Sequence, residues 1–217
     1  PVLIDGSPPP SSATEPGLLE PPVPPVVCRL VNKAGSYLRP DGVLGDLGSE
    51  APDDGRFDSG GERFFASGTA LVARASTFRT LGGLAEPLFA YYEDGDWSWR
   101  ARLAGLRVVY DPSSVVTHRQ SATSGGAVHS WVRVLARRNK VLVLVRNAPG
   151  QVFGDLLRQD LRCGPQEGAR RATLAKLPWA LSSRRRLSRK WKLSPEEVWS
   201  AWAGVDNSWD TGPYRQA

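Results

Sequence analysis

The sequence contains no methionine, only two cysteines and no long apolar run. A 217-residue chain that lacks Met and begins at Pro1 is expected to be a piece of a longer polypeptide. Cys28 and Cys163 lie far apart and have no metal-ligand spacing, which excludes a cysteine-built zinc site and fits free thiols in a reducing compartment. Spanning a bilayer takes ~20 consecutive apolar residues. The longest candidate, "VLVLV" at 141–145, is flanked by Lys140 and Arg146 and is far too short. No secretory signal pattern is visible.

Hydrophobic residues make up 41% and charged residues 23%, enough for a buried core. The net charge of +6 points toward an anionic partner: nucleic acid, phosphate or a membrane surface. Residues 1–25, with "SPPPSSATEPGLLEPPVPP", read as an extended proline-rich linker, with a proline-motif ligand as the alternative. From 26 to 61, glycine and aspartate break the chain into turns and one or two short strands. Aromatic and aliphatic residues in "ERFFASGTALVARAS" predict a strand over Arg63–Val72. A short helix follows in "RASTFRTLGG", stopped by Gly82 or Gly83. A second helix begins near Asp94 or Asp96 and ends near Gly105, and Arg107–Tyr110 and Val115–His118 read as strands around Pro112. With Arg63–Val72 they are expected in one mixed sheet. Val128, Trp131, Val132, Leu135, Leu142 and Val145 recur at helical spacing up to Pro149. Beyond it lies a basic, helical extension, 151–217, in which "SPEE" at 194–197 opens a helix with Ser194 as its cap. No internal repeat is present.

The segment "LFAYYEDGDWSWRARLAG" places Glu93, Asp94 and Asp96 within four residues. Two readings of the acids stand side by side. In one they are a solvated acid cluster at a helix start, where free N–H groups and the helix dipole stabilise carboxylates. Asp96 and Arg100 would then be a surface pair at i, i+4. In the other, a carboxylate fixed at a helix start between aromatic rings is a general base beside a surface for a sugar ring.

The run Ser67-Gly68, Arg74, Gly82-Gly83, Phe89, Tyr91, Glu93-Asp94, Asp96, Trp97, Arg100, Gly105, Pro112 and His118 resembles, in order and spacing, the acceptor half of glycosyltransferase family 2. Its nearest likeness is the rhamnosyltransferase-like branch that builds cell-surface polysaccharides. The resemblance covers about Val31 to Gly150, with "NKAG" at 32–35 and "RRNKVLVLVRNAPG" at 137–150 also matching. It implies an α/β fold over 26–150, the C-terminal half of a GT-A domain with a mixed sheet and flanking helices. It also implies an inverting transfer from a nucleotide-sugar to a glycan or lipid-linked acceptor. By that likeness Asp94 is the general base and Glu93 orients it or the acceptor. Asp96 and Arg100 brace the site, Ser67 and Gly68 face the acceptor, and Trp97 is either a sugar platform or core. His118 falls where relatives hold a divalent cation (Mg or Mn) or a nucleotide phosphate; otherwise it is a structural side chain. "GGLAEPLF" departs from the family's pattern by placing Ala85 where an acid is usual. The nucleotide-sugar-binding half expected before "NKAG" is replaced by the proline-rich stretch. An inactive remnant or interaction module is therefore the alternative reading.

The basic run "RRRLSRKWK" at 184–192 has no nucleic-acid-binding pattern around it. As one helix it would set Leu187 and Trp191 on a single apolar edge, suited to an anionic membrane surface; a solvated charged face is the other reading. That reading places the protein in the cytoplasm, peripheral on the inner face of the plasma membrane.

Overall fold

The computed structural model describes residues 2–4, 29–118, 130–162 and 167–205. Cys28, Cys163 and nearly all of the proline-rich stretch lie outside them. Short apolar pieces separated by Gly and Asp give short strands. These are β1 (Val2–Ile4), β2 (Leu30–Lys33), β3 (Ser36–Leu38), β4 (Leu44–Asp46), β5 (Ala51–Pro52) and β6 (Gly61–Glu62). After them come α1 (Ala75–Thr80), α2 (Glu93–Leu103), β7 (Val109–Tyr110) and β8 (Val116–Thr117). Four helices complete the chain: α3 (Ser130–Asn147), α4 (Gly150–Arg162), α5 (Glu167–Leu187) and α6 (Pro195–Trp202).

The largest sheet has the order β5-β2-β1-β8. In it β1 runs antiparallel to β2, with Leu3 opposite Val31, and parallel to β8, with Val2 opposite Val116. Residues 2–4 thus form an inner strand, and the linker reading fails there because "VLI" is an apolar, partly β-branched run that a neighbouring strand can pair. Strands β3 and β4 form a hairpin whose turn needs Gly42: its φ is +75°, and a Cβ there would lie 2.8 Å from Leu144 Cδ2 of α3.

Arg63–Val72 is not a strand. Phe64 and Phe65 are both buried, so the segment does not alternate in and out as a half-exposed strand would, and both N–H groups reach the carbonyl of Ser36. The Ser67 side chain then accepts the N–H of Thr69 and starts a 3₁₀ turn over Gly68–Ala70. Nor do the two later strands share a sheet. β7 pairs with β6, whereas β8 joins β1. Between them Asp111 accepts from the Ser113 N–H and from the hydroxyls of Ser113 and Ser114, a side-chain-bonded turn that redirects the chain.

The helix boundaries follow their local chemistry. After α1 the left-handed Gly82 and Gly83 donate to Arg79 and Phe78 carbonyls, and Gly105 (φ +74°) ends α2 in the same way. Pro149 ends α3 and opens α4, its carbonyl accepting from Phe153. Ser194 and Glu197 form a reciprocal capping box at α6.

The core lies where α2 and α3 meet. Trp99 is fully buried, edge-on to Phe64 at 5.2 Å and stacked on Trp199 of α6 at 6.0 Å. The run Val141–Val145 of α3 is buried beneath α5, which lies along it. The basic run is built into this frame rather than forming one helix. Helix α5 stops at Leu187, and Trp191 is extended and packed against the core. Arg184 donates to the carbonyls of Val145 and Ala148 at 3.0 and 2.7 Å and lies over the Trp191 ring. The N–H groups of Lys192 and Leu193 bond the Leu103 carbonyl at the end of α2. The unsatisfied carbonyls at two helix ends and the burial of Trp191 outweigh continued helix, so the expected Leu187–Trp191 edge does not form. Among the described residues no helix is long and apolar enough to cross a membrane.

Replacing Trp99 with Ala is expected to cost about 3–5 kcal/mol in urea unfolding, as large core deletions do. Val72→Ala, at a side chain 98% exposed, is expected to change the midpoint negligibly.

Candidate functional site

The backbone entering α2 is strained. Phe89, Tyr91 and Tyr92 all have φ between 68° and 70°, a left-handed conformation that costs a residue with a Cβ about 1–3 kcal/mol each. A 3₁₀ turn over Glu86–Leu88 leads into this run, and Tyr92 is the residue from which the helix starts. Burial pushes the Tyr92 phenol up to about 12.

The two acids that follow occupy different surroundings. Asp94 is fixed by amides: Oδ2 accepts from Gly68 N at 2.8 Å and Oδ1 from Gly95 N at 2.7 Å. Glu93 is half-buried, and its Oε2 is enclosed without a hydrogen-bond partner. Burial pushes its carboxyl above the ordinary carboxylate range; the adjacent Asp94 adds to the shift, while a backbone hydrogen bond and Lys33 oppose it. Lys33, at the end of β2, donates to Ser67 Oγ at 2.9 Å and pairs with Asp46 of β4 at 3.0 Å. Ser67 and Gly68 thus sit between a lysine held by the hairpin and the acids at the helix start. They also line a cleft of about 730 Å³ whose walls include Lys33, Arg63, Trp97 and Tyr110.

Asp96 faces the other way, into the protein. It is fully buried, with Oδ2 2.9 Å from Arg100 Nε and Oδ1 2.9 Å from Arg146 Nε. Asn147 Nδ2 donates to Oδ1 at 2.9 Å, and Arg146 Nη2 to Oδ2 at 3.2 Å. Arg100 also donates to the Leu81 and Gly83 carbonyls, tying the end of α1 to α2. The expected surface pair of Asp96 and Arg100 is therefore an interior ion network, because α3 supplies a second arginine and an amide that cover it.

Ser67, Gly68, Glu93 and Asp94 come together; the other sequence candidates do not join them. Trp97 lines the cleft but is only 5% exposed, its ring set against Phe78 at 5.7 Å. The open aromatic rings near the acids are instead Phe89 (77% exposed) and Tyr91 (40%), the latter 6.5 Å from Trp131. His118 pairs through Nδ1 with Asn32 Oδ1 at 3.2 Å. Among the described residues no group of three or more His, Cys, Asp or Glu side chains could hold a metal ion, so His118 and its neighbour do not fit a Mg or Mn site. Residues that sequence reading did not single out are Lys33, Arg138, Asn139, Arg146 and Asn147. Their signal was two Arg-Asn dipeptides bracketing an apolar helical run, polar groups where a buried helix would otherwise be apolar.

Over 59 residues, 27% of this chain, the sequence is 41% identical to the N-acetylglucosaminyl-diphospho-decaprenol L-rhamnosyltransferase of Mycobacterium tuberculosis, with the same figures for the protein from each of two strains. The match spans 19% of the length of these curated relatives. The chain is thus similar to a glycosyltransferase over part of its length. No family model matches it, and no solved structure does.

Asp96→Asn is expected to destabilise the protein by about 3–5 kcal/mol, since it leaves two buried arginines without their counter-charge. Glu93→Gln should act in the opposite direction. A carboxyl whose folded value is raised stabilises the fold fully below its unfolded value, and that contribution is lost as pH rises through the folded value. The Gln variant should therefore unfold at higher urea than the parent at pH 7, and the gap should close below pH ~4, where both side chains are neutral in either state.

Proposed function

We propose that these residues are the acceptor-side, catalytic-base part of an inverting glycosyltransferase of family 2 with a GT-A fold. The observation that carries the reading is the placement of Asp94: a carboxylate at the start of α2, fixed by the Gly68 N–H beside a cleft. The partial likeness to a rhamnosyltransferase adds support and suggests L-rhamnose as the sugar and a sugar on a polyprenyl diphosphate as the acceptor.

In this reading the acceptor hydroxyl approaches Asp94 across the Ser67–Gly68 turn. Asp94 takes the hydroxyl proton as the acceptor oxygen bonds to the anomeric carbon. The bond from that carbon to the nucleotide diphosphate breaks with its electron pair, and the configuration inverts. Two amide N–H groups hold the Asp94 oxygens in place, so little reorientation is needed at the moment of transfer. Glu93, half-buried beside Asp94, supplies a second contact through the exposed part of its side chain, Oε2 itself being enclosed. Phe89 and Tyr91, open to solvent beside the acids, offer ring faces for a pyranose.

The test is glycosyl transfer by a polypeptide that carries this chain together with a nucleotide-sugar-binding half. Asp94→Asn should leave the protein folded, with a small loss of midpoint for the one amide N–H that its Nδ2 cannot accept, and lower kcat by about 10²–10⁴, the usual worth of a positioned base. Glu93→Gln should raise KM for the acceptor more than it lowers kcat. Full turnover by Asp94→Asn would overturn the assignment.

A further inference from the structure

The left-handed run before the acids is held by one helix. Asn139, on α3 and fully buried, directs its Nδ2 at three backbone carbonyls: Leu88 at 2.9 Å, Ala90 at 2.8 Å and Tyr91 at 2.7 Å. A primary amide has two N–H bonds, so one of them is shared between two carbonyls. The amide can face only this way round, because its Oδ1 accepts from Arg138 Nε at 2.9 Å and every group around Nδ2 is an acceptor. Arg138 in turn donates through Nη2 to the carbonyls of Pro87 and Leu88 at 3.2 and 2.8 Å. Two adjacent side chains thereby satisfy four of the five carbonyls from Pro87 to Tyr91, all but that of Phe89.

The contacts fall where the chain has no regular structure to enforce its shape. Phe89 and Tyr91 have positive φ without being glycine; the Phe89 ring is 77% exposed and the Tyr91 ring, 40% exposed, meets the Trp131 ring of α3, so side-chain packing holds them weakly. Tyr92 has no side-chain cap bond to define the start of α2. Its left-handed turn passes directly into Glu93 and Asp94, with no intervening residue to absorb a change of angle. A shift in the carbonyls of 88–91 therefore acts first on Glu93 and Asp94, which precede the point where Asp96 anchors the helix.

We propose that Asn139, with Arg138, is a positioning residue for the acidic pair: its amide locks the left-handed entry to α2 and so sets where Glu93 and Asp94 point against the Ser67–Gly68 turn. For turnover the proposal rests on the glycosyltransferase reading; for the geometry it does not. The two can be tested apart.

The geometric arm uses the chain itself. The Glu93 carboxyl is titrated by carbon NMR, and hydrogen exchange of the Gly68 N–H, which Asp94 accepts, is followed alongside. The charged groups acting on Glu93, Asp94 and Lys33, are kept in every variant. In Asn139→Ala the entry should loosen, the Glu93 titration should fall toward the ordinary carboxylate range as water reaches it, and Gly68 should exchange at least tenfold faster. Val141→Ala, a buried truncation on the same helix half a turn on, serves as the stability control and should move neither. Arg138→Lys, at a half-buried position, keeps the charge and loses the planar fork, and it decides the matter if Asn139→Ala does not fold. It should shift both readouts in the same direction by a smaller amount. Unchanged Glu93 titration and Gly68 exchange in the folded variants would overturn the proposal, as would an equal response in Val141→Ala. In the transfer assay Asn139→Ala should lower kcat about 10²-fold with KM within about threefold, the signature of misplaced rather than missing groups. Unaltered kcat in an enzyme that does transfer sugar would also overturn it. Absence of transfer by the parent would count against the glycosyltransferase reading alone, and the NMR arm would still decide the clamp.

Discussion

A carboxylate with no exposure to water must find its counter-charges inside the protein, and the architecture around Asp96 is the consequence. One arginine comes from its own helix, four residues on, and a second arginine and an asparagine come from α3. Such a network is a poor source of net stability compared with an apolar core, because desolvating the charges offsets much of their attraction. Its value lies in geometry. An ion network fed from both helices tolerates little rotation of either, so α2 is fixed about its axis and along α3. With position 96 turned inward, Trp97 and Ala101 line the cleft, and Asp94 meets the N–H of Gly68, which lines it too.

Helix α3 is therefore the spine on which the acids are registered. Its last turn meets Asp96 through Arg146 and Asn147, and about two turns earlier Asn139 meets the loop that leads to Glu93. What holds α3 comes from the end of the chain. α5 packs along it, Arg184 closes its terminal carbonyls, and Arg146 lies over the Trp179 ring of α5 at 4.5 Å. Several basic residues are thus internal donors or ring partners rather than a solvated face. Lys190, although exposed, donates to the Thr80 carbonyl at the end of α1 at 2.6 Å. A composition-level excess of positive charge overstates what is offered to an anionic partner.

These placements explain which parts were legible in the sequence. The end of α2 at Gly105, the stop of α1 at Gly82 and Gly83, and the capping box at Ser194 depend on neighbours within four residues, so sequence spacing carries them. Pairing across the chain is not encoded that way. Nothing in "FFASG" says that both phenylalanine N–H groups will turn to Ser36, and nothing in "VLI" at the start says that it will lie between β2 and β8. The Asp96–Arg100 pair was read correctly as a pair and wrongly as a surface one. Four-residue spacing fixes contact between two side chains, whereas burial depends on an arginine 50 positions away along the chain. Trp191 failed for a related reason: a local basic helix lost to the demand for donors at the end of α2.

Three acids within four residues would repel one another in a common solvent, and the fold prevents this by giving each a different one. Asp96 is enclosed among arginines. Asp94 is held by backbone amides at the helix start. Glu93 is enclosed without a partner and displaced upward, with Asp94 contributing to that displacement. Separation of this kind gives neighbouring carboxyls different surroundings. It also separates the residue enclosed in the ion network from the two at the helix entry, although all three lie on one turn of helix. The left-handed residues at the entry follow from the same requirement. With α2 locked by Asp96, the chain must arrive at Glu93 from a fixed direction, and only a sharply turned backbone, held from α3, reaches it.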